Sequence, residues 1–206
     1  MVDPQCRAVI PLPSKDYGAA GGVLGRAFWE DPLWSALMSD PQTRQAKLAR
    51  MFTGLVKTTA AARGVVETTP GLEAVAIWLP PGVELGWWPM VRSGMAMPRV
   101  VMGLPAQDRR RMINVLRQTE QRRRDLMPRP HWYLEAIGVE PDHQGAGLGS
   151  ALVRAGIARA DRDKTPVYLE TETEGNVGYY EYLGFGVVDQ IVATGLDLPL
   201  WMMTRP

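Results

Sequence analysis

Residues 142–151 read DHQGAGLGSA: a His-Gln pair, glycines at 145, 147 and 149, and then a helix-forming run. Glycine admits φ > 0 and lets another molecule approach the main chain without a Cβ in the way. A helix that starts at once turns its unpaired N–H groups and its positive dipole end back onto that loop. Such a place suits an anion, most often a phosphate. Spacing narrows the choice. A dinucleotide fold uses G-x-G-x-x-G, whereas here the third glycine comes one residue early. A triphosphate-binding loop ends G-K-[ST], whereas Leu148 precedes Gly149-Ser150 and no lysine is present. Neither a nicotinamide cofactor nor ATP is favoured; the alternative is a glycine-rich turn with no ligand.

Working outward, HWYLEAIGV (131–139) precedes the loop as a strong strand. The helix that follows it runs to about Asp161, with an apolar stripe of Leu148, Leu152, Ala155 and Ala158 and with Arg154 and Asp161 away from it. PVYLET (166–171) reads as a buried-type strand, NVGYYEYLGF (176–185) as a short helix ended by Gly184, and two strands close the chain. Upstream, RAVIPLP (7–13) reads as a short edge strand, since proline cannot donate to a ladder. Ser14 caps a helix from Lys15 to about Trp29 that Asp31-Pro32 breaks. A second helix from Pro41 to about Ala62 has Asp40 as its cap and Gly64 to close it. VVETT (65–69) and EAVAIWLPP (73–81) form a hairpin. Residues 82–105 read as irregular, and Asp108–Leu126 as a helix with Met112, Ile113, Val115 and Leu116 towards one side. The order β-α-α-β-β-loop-α-β-α-β-α-β-β is a mixed α/β class without internal repeats.

At 206 residues and 46% hydrophobic content, the chain is expected to form one domain, 1–206, with a sizeable core. A net charge of +1 gives no reason to invoke nucleic acid or an anionic membrane. The lone Cys6 excludes an intramolecular disulfide and fits a reducing compartment. Pro4, Pro11 and Pro13 interrupt the first residues, so no signal peptide is expected, and no apolar run is long enough to span a bilayer. A cytoplasmic protein is expected.

YLEAIGVEPDHQGAGLGSALV followed by YLET and NVGYYEYLGF resembles the GNAT superfamily of N-acetyltransferases. The loop matches its Q-x-x-G-x-G signature at Gln144, Gly147 and Gly149, and the second block matches its asparagine and Y-E-x-L-G-F at Asn176 and Tyr180 to Phe185. Residues 64–206 carry a closer likeness to puromycin N-acetyltransferases. Residues 1–63, an N-terminal strand and acceptor-side helices, match only in arrangement. The resemblance implies the GNAT acyl-CoA fold: a central mixed, twisted sheet flanked by helices, with two parallel strands splayed at the cofactor site. It implies acetyl-CoA as co-substrate and no metal. The expected coenzyme-binding set is Ile137, Gly138 and Val139 on the strand, the loop and helix start from Gln144 and Gly145 through Ala146, Gly147, Leu148 and Gly149 to Ser150, and Asn176 and Tyr180. Gly138 in mid-strand suits a bulge or close approach. Ala146 departs from the arginine or lysine often found there in the family.

Acetyl transfer to an amine needs two proton movements. The amine must lose a proton before it can attack, and the thiolate leaves better when an acid protonates it. By the resemblance, Tyr180 is the acid; packing among Tyr179 and Tyr182 is the bland alternative. Glu135, two residues before Ile137 and so expected on the same strand face, is the candidate base, acting through water; a salt-bridged strand residue is its alternative. His131 could serve instead, with a surface role the plainer reading for it and for His143. Trp87, Trp88, Met90, Met95, Met97 and Met102 read either as a pliable wall for an apolar acceptor or as plain core cover. The arginine-rich run before residue 125 reads as a solvated helix face. The leading expectation is an N-acetyltransferase acting on the primary amine of a small molecule, such as an aminonucleoside antibiotic. The alternatives are a protein N-terminus or lysine acetyltransferase and a non-catalytic acyl-CoA-binding regulatory module. A homodimer is left open.

Overall fold

The structure, a computed structural model, describes residues 8–206; Cys6 and Arg7, the latter opening the expected first strand, lie outside them. The elements in chain order are β1 (Ile10–Pro11), α1 (Tyr17–Ala27), α2 (Pro32–Leu37), α3 (Pro41–Ala61), β2 (Val65–Thr68), β3 (Ala74–Leu79), α4 (Trp87–Arg92), α5 (Ala96–Met102), α6 (Ala106–Leu126), β4 (Trp132–Val139), α7 (Leu148–Asp163), β5 (Val167–Thr171), α8 (Glu174–Tyr182), β6 (Gly186–Ala193) and β7 (Leu198–Arg205).

The strands form one mixed seven-stranded sheet in the order β1-β2-β3-β4-β5-β7-β6. All its pairings are antiparallel except β4 with β5. β3 is buried along its whole length, so both sheet faces are covered. Val75 and Ile77 join one core with α1, α3 and α6, including Leu24, Phe52 and Met112. Ala76 and Trp78 join a second core with α7 and the end of α8, including Leu152, Val153 and Phe185. The alternation of side chains along a strand sends successive residues to opposite layers.

Local chemistry explains where several elements begin. The Asp40 carboxylate accepts from the Gln42 amide at 3.0 Å, with Pro41 at the first helical position, so α3 starts as the sequence implies. Asp31-Pro32 ends α1 and also starts α2, because Asp31 accepts from the Trp34 amide at 3.0 Å. The sequence reading saw only the break.

Other expectations need correction. Ser14 makes no side-chain cap: residues 14–16 form a 3-10 turn ahead of α1. α3 turns off at Arg63, which takes φ +64°, and Gly64 follows it. Residues 82–105 are not irregular throughout but carry the short helices α4 and α5. On α6, Met112 and Val115 are buried and Leu116 is half exposed. The buried stripe of α7 is Leu148, Leu152, Val153, Gly156 and Ala160; Ala158 is exposed, and Ala155 is only partly buried. α8 begins two residues earlier than expected, at Glu174. No described helix is long and apolar enough to cross a membrane.

Candidate active site

The parallel pair β4–β5 is joined only at its start, Trp132 with Val167 and Tyr133 with Tyr168. Beyond that point the two strands separate, and a cleft of about 820 Å³ opens between them. Its rim is the glycine loop and the head of α7. Gly145 and Gly147 take φ +76° and +81°, conformations that other residues adopt only with strain. The loop amides of Gly145, Ala146 and Gly147, and those of Leu148, Gly149 and Ser150 in the first turn of α7, have no acceptor among the described residues. They are donors of the kind an anion needs at a helix start. The Gln144 side chain donates to the Val139 carbonyl at 3.4 Å and ties the loop to the end of β4. Tyr179 donates to the Ser150 hydroxyl at 3.2 Å and ties α8 to the same helix start.

Apart from Ala146, every residue of the expected coenzyme set lines this cleft. The Ala146 side chain packs against the α7-side core instead. Gly138 is not at a bulge. A Cβ there would stand 2.8 Å from that of Ala27, so its glycine admits α1 against the strand.

The bulge falls at Glu135. Ile77 pairs with Ala136 and Trp78 with Leu134, which leaves Glu135 unmatched on β4. An extra residue slips the alternation by one. Trp132 and Leu134 pack on the α7 side before the bulge, and Ile137 and Val139 do so after it, while Tyr133 and Ala136 pack on the other side. The expectation that Glu135 shares a face with Ile137 therefore fails; Glu135 stands with Tyr133 and Glu170.

Glu135 lines the cleft, and burial, reinforced by the neighbouring Glu170 charge, lifts its pKa to about 7. Glu170 on β5 is likewise lifted to about 7 by burial. It accepts from the Tyr133 hydroxyl at 2.7 Å, which leaves that hydroxyl no proton for Glu135. The Arg123 guanidinium lies 5.1 Å from the centre of the Tyr133 ring and is paired with Glu120 at 2.7 Å. Arg123 thus departs from the expected solvated face, whereas Arg124 of the same run pairs with Glu120 at the surface. His131 is held between Arg123, at 3.1 Å, and the Arg129 carbonyl, at 2.9 Å, outside the cleft. His143 lines the rim.

Tyr180 is 7% exposed and lines the cleft, and its hydroxyl has no hydrogen-bond partner among the described residues. Burial, then the charges of Tyr179 and Glu172, push its pKa up, so it keeps its proton. Asn176 is exposed at the same rim.

Two features escaped the sequence. Glu172, immediately after β5, faces Asp31 in the cleft, and burial followed by Asp31 lifts its pKa to about 10. Glu170 and Glu172 alternate in YLETET, and that period of two was the available signal. The other feature is an aromatic wall: Phe28 stacks on Phe52 at 4.9 Å, and Trp34 meets Phe52 edge-on at 5.4 Å. Trp87 and Trp88, by contrast, are 64% and 73% exposed and line neither cleft nor core. From that segment only Met97 and Val101 reach the cleft.

A mixed sheet whose one parallel pair splays beside a glycine loop and helix start is the GNAT acyltransferase architecture, and the comparisons agree. Residues 112–185 match the model of the Acetyltransferase (GNAT) family. The chain is 28% identical over 203 residues to an uncharacterized N-acetyltransferase of Schizosaccharomyces pombe, covering 94% of this chain and 81% of that protein. A Corynebacterium glutamicum structure described as histone acetyltransferase HPA2 and related acetyltransferase superposes with a TM-score of 0.70 at 26% identity, over 97% of this chain and 95% of the other. Arylalkylamine N-acetyltransferase 2 from Aedes aegypti shares the fold at a TM-score of 0.61 and 14% identity, over 96% and 97% of the two chains. The fold is thus shared with solved acetyltransferases, and the stretch from α6 to the end of α8 carries the family match. Neither carries the closer likeness to puromycin N-acetyltransferases.

Proposed function

We propose that this chain is an acetyl-CoA-dependent N-acetyltransferase that acts on the primary amine of a small molecule. The observation that carries the reading is the row of unpaired amides from Gly145 to Ser150, opening onto the same cleft as the splayed strand edge and the unpartnered Tyr180 hydroxyl. The amides suit a pyrophosphate, and the exposed edge of β4 at Ile137–Val139 suits the amides of a pantetheine arm. Bound there, acetyl-CoA supplies an acetyl group activated as a thioester.

The residues then divide the proton work. Glu135 takes the proton of the incoming ammonium through water, and a carboxylate poised near neutrality is suited to that exchange. Tyr180, buried and holding its proton, donates it to the leaving thiolate. A binding module without turnover needs neither group. The cleft is walled by Phe28, Trp34 and Phe52, which suits a compact acceptor with an apolar or ring-bearing body, an aminonucleoside among them. The test is thiol release from acetyl-CoA over a panel of small amines and lysine peptides. Release with small amines is expected; release with peptides alone would overturn the acceptor class, and no release with any amine would overturn the activity.

A further inference from the structure

The cleft wall is acidic on one side and aromatic on the other, and both sides meet in the stretch FWEDPLW, residues 28–34. Asp31 sits there between Phe28 and Trp34, two members of the aromatic wall. One Asp31 oxygen caps α2 through the Trp34 amide, and Glu172 approaches it from the end of β5. Glu172 makes no hydrogen bond to an arginine, lysine or histidine among the described residues, and neither does Asp31. The Glu172 charge also reaches the Tyr180 hydroxyl, whose own lack of a partner marks the same spot as open to a ligand. Among the residues that line the cleft, Glu30, Asp31, Glu135, Glu170 and Glu172 are acidic and none is a lysine or arginine; Arg123, paired with Glu120 by the Tyr133 ring, acts on Glu135 and Glu170 from outside the lining.

Resting on the acetyltransferase reading, we propose that Glu172 and Asp31 form the site that holds the acceptor's ammonium group beside Tyr180, with Phe28, Trp34 and Phe52 enclosing its body. The acceptor is then a cationic amine on an apolar, ring-sized body that carries no carboxylate. Without a cation between them Glu172 keeps its proton against Asp31; an ammonium that binds there displaces that proton to solvent and pairs with both carboxylates, and the aromatic faces add attraction for the cation. An amino acid of the same shape brings a third carboxylate into that acidic wall and is rejected by like-charge repulsion.

The pair tryptamine and tryptophan isolates this single group. Calorimetric binding of each, with and without coenzyme A, reads the ammonium site without turnover, and acetyl-CoA binding is measured separately. Tryptamine is expected to bind and to be acetylated, with tryptophan weaker by roughly a hundredfold or more, as like-charge juxtaposition of several kcal/mol implies. Glu172→Gln is expected to weaken tryptamine roughly ten- to hundredfold, the worth of a hydrogen bond to a charged group, and to leave acetyl-CoA affinity unchanged. Asp31→Asn retains a capping side chain for the Trp34 amide and so keeps the fold while halving the acidic pair. Equal binding of tryptamine and tryptophan, a preference for 1,4-diaminobutane over tryptamine, or unchanged tryptamine affinity in both variants would each overturn the proposal. Failure of acetyl-CoA to bind while tryptamine binds would overturn the transferase reading and leave the ammonium site standing.

Discussion

Replacing Glu135 by glutamine separates what this carboxyl does for the fold from what it does for chemistry. In the folded chain its pKa is lifted from 4.5 to about 7, chiefly by burial and then by Glu170. At about 1.36 kcal/mol per pH unit, that lift corresponds to about 3 kcal/mol, and water in the open cleft reduces it to roughly 1–3 kcal/mol. The sign follows from which state binds the proton more tightly. The folded state does, so below pH 4.5 both states are protonated and nothing is lost. As pH rises from 4.5 through about 7, the unfolded chain ionises freely and the folded chain does so only against burial, and stability falls across that window. Glu135→Gln removes the charge and keeps the shape. Urea unfolding at pH 8 should therefore show the variant more stable than the native protein by roughly 1–3 kcal/mol, with the difference vanishing near pH 4.5. The same variant should lose activity, most strongly below the pKa of the acceptor amine, with partial rescue as pH rises. A native protein equally stable at pH 5 and pH 8, with the variant parallel to it, would refute the reasoning. So would a variant that gains stability and keeps full kcat/KM, since Glu135 would then be a buried charge with no part in the reaction.

Three further substitutions probe the remaining parts. Tyr180→Phe removes a hydroxyl that has no partner to lose, so the unfolding midpoint should hold while kcat falls about 10²–10⁴-fold; Tyr182→Phe, at a 78% exposed site, is the control, and equal small effects in both would withdraw the tyrosine assignment. Gly147→Val forces a branched side chain to φ +81° in the amide-lined loop, so the rise of about 2.7 kcal/mol expected from acetyl-CoA at about 100 times its Kd should disappear; a retained thermal shift would sink the cradle. Gly156→Ala would normally strengthen a helix by about 1 kcal/mol, but its Cβ would stand 2.1 Å from Cζ2 of the fully buried Trp78, so a net loss is expected in chemical denaturation and a gain would refute the packing.

The fold was legible wherever one local rule acted alone. Asp40-Pro41 carries both the cap and the first-turn proline of α3, and the hairpin of β2 and β3 announces itself by two apolar runs around Pro70-Gly71. The reading failed where one residue served two elements or where a tertiary contact chose between positions. Asp31-Pro32 closes one helix and opens another. On α7, alanines at 155 and 158 fit a helical period as well as Gly156 and Ala160 do, and only the Trp78 ring, which leaves no room for a Cβ at 156, decides which face turns inward. Residues 82–105 hid two helices because glycines and prolines mark their ends so densely that their short spans look like loop.

The site divides along the same line. The side proposed for the coenzyme is main-chain chemistry, which glycine spacing and a following helix encode within ten residues, so the loop could be read directly. The rest of the cleft, proposed for the acceptor, is lined from α1, α2, α3, α5, α6, β4 and β5, and no run of sequence contains it. Glu135 was found as an acid in an apolar strand, yet its direction was wrong by one face, because a bulge depends on the partner strand's register and not on the bulged strand's own residues. That error has a chemical consequence. With Ile137 turned to the α7 side and Glu135 to the other, the strand presents an apolar side chain to α7 and its carboxylate to Tyr133 and Glu170. One extra residue in β4 thus sets an apolar face towards α7 and a buried carboxyl on the opposite face within three residues. On this account, deleting Glu135 should restore the regular register with Leu134 and Ile137 still on the α7 side and Ala136 still on the other, so that the carboxylate is removed and the flanking faces are kept. Such a chain should keep coenzyme binding and lose acetyl transfer as Glu135→Gln does, and loss of coenzyme binding in the deletion alone would show that the bulge itself shapes the strand edge.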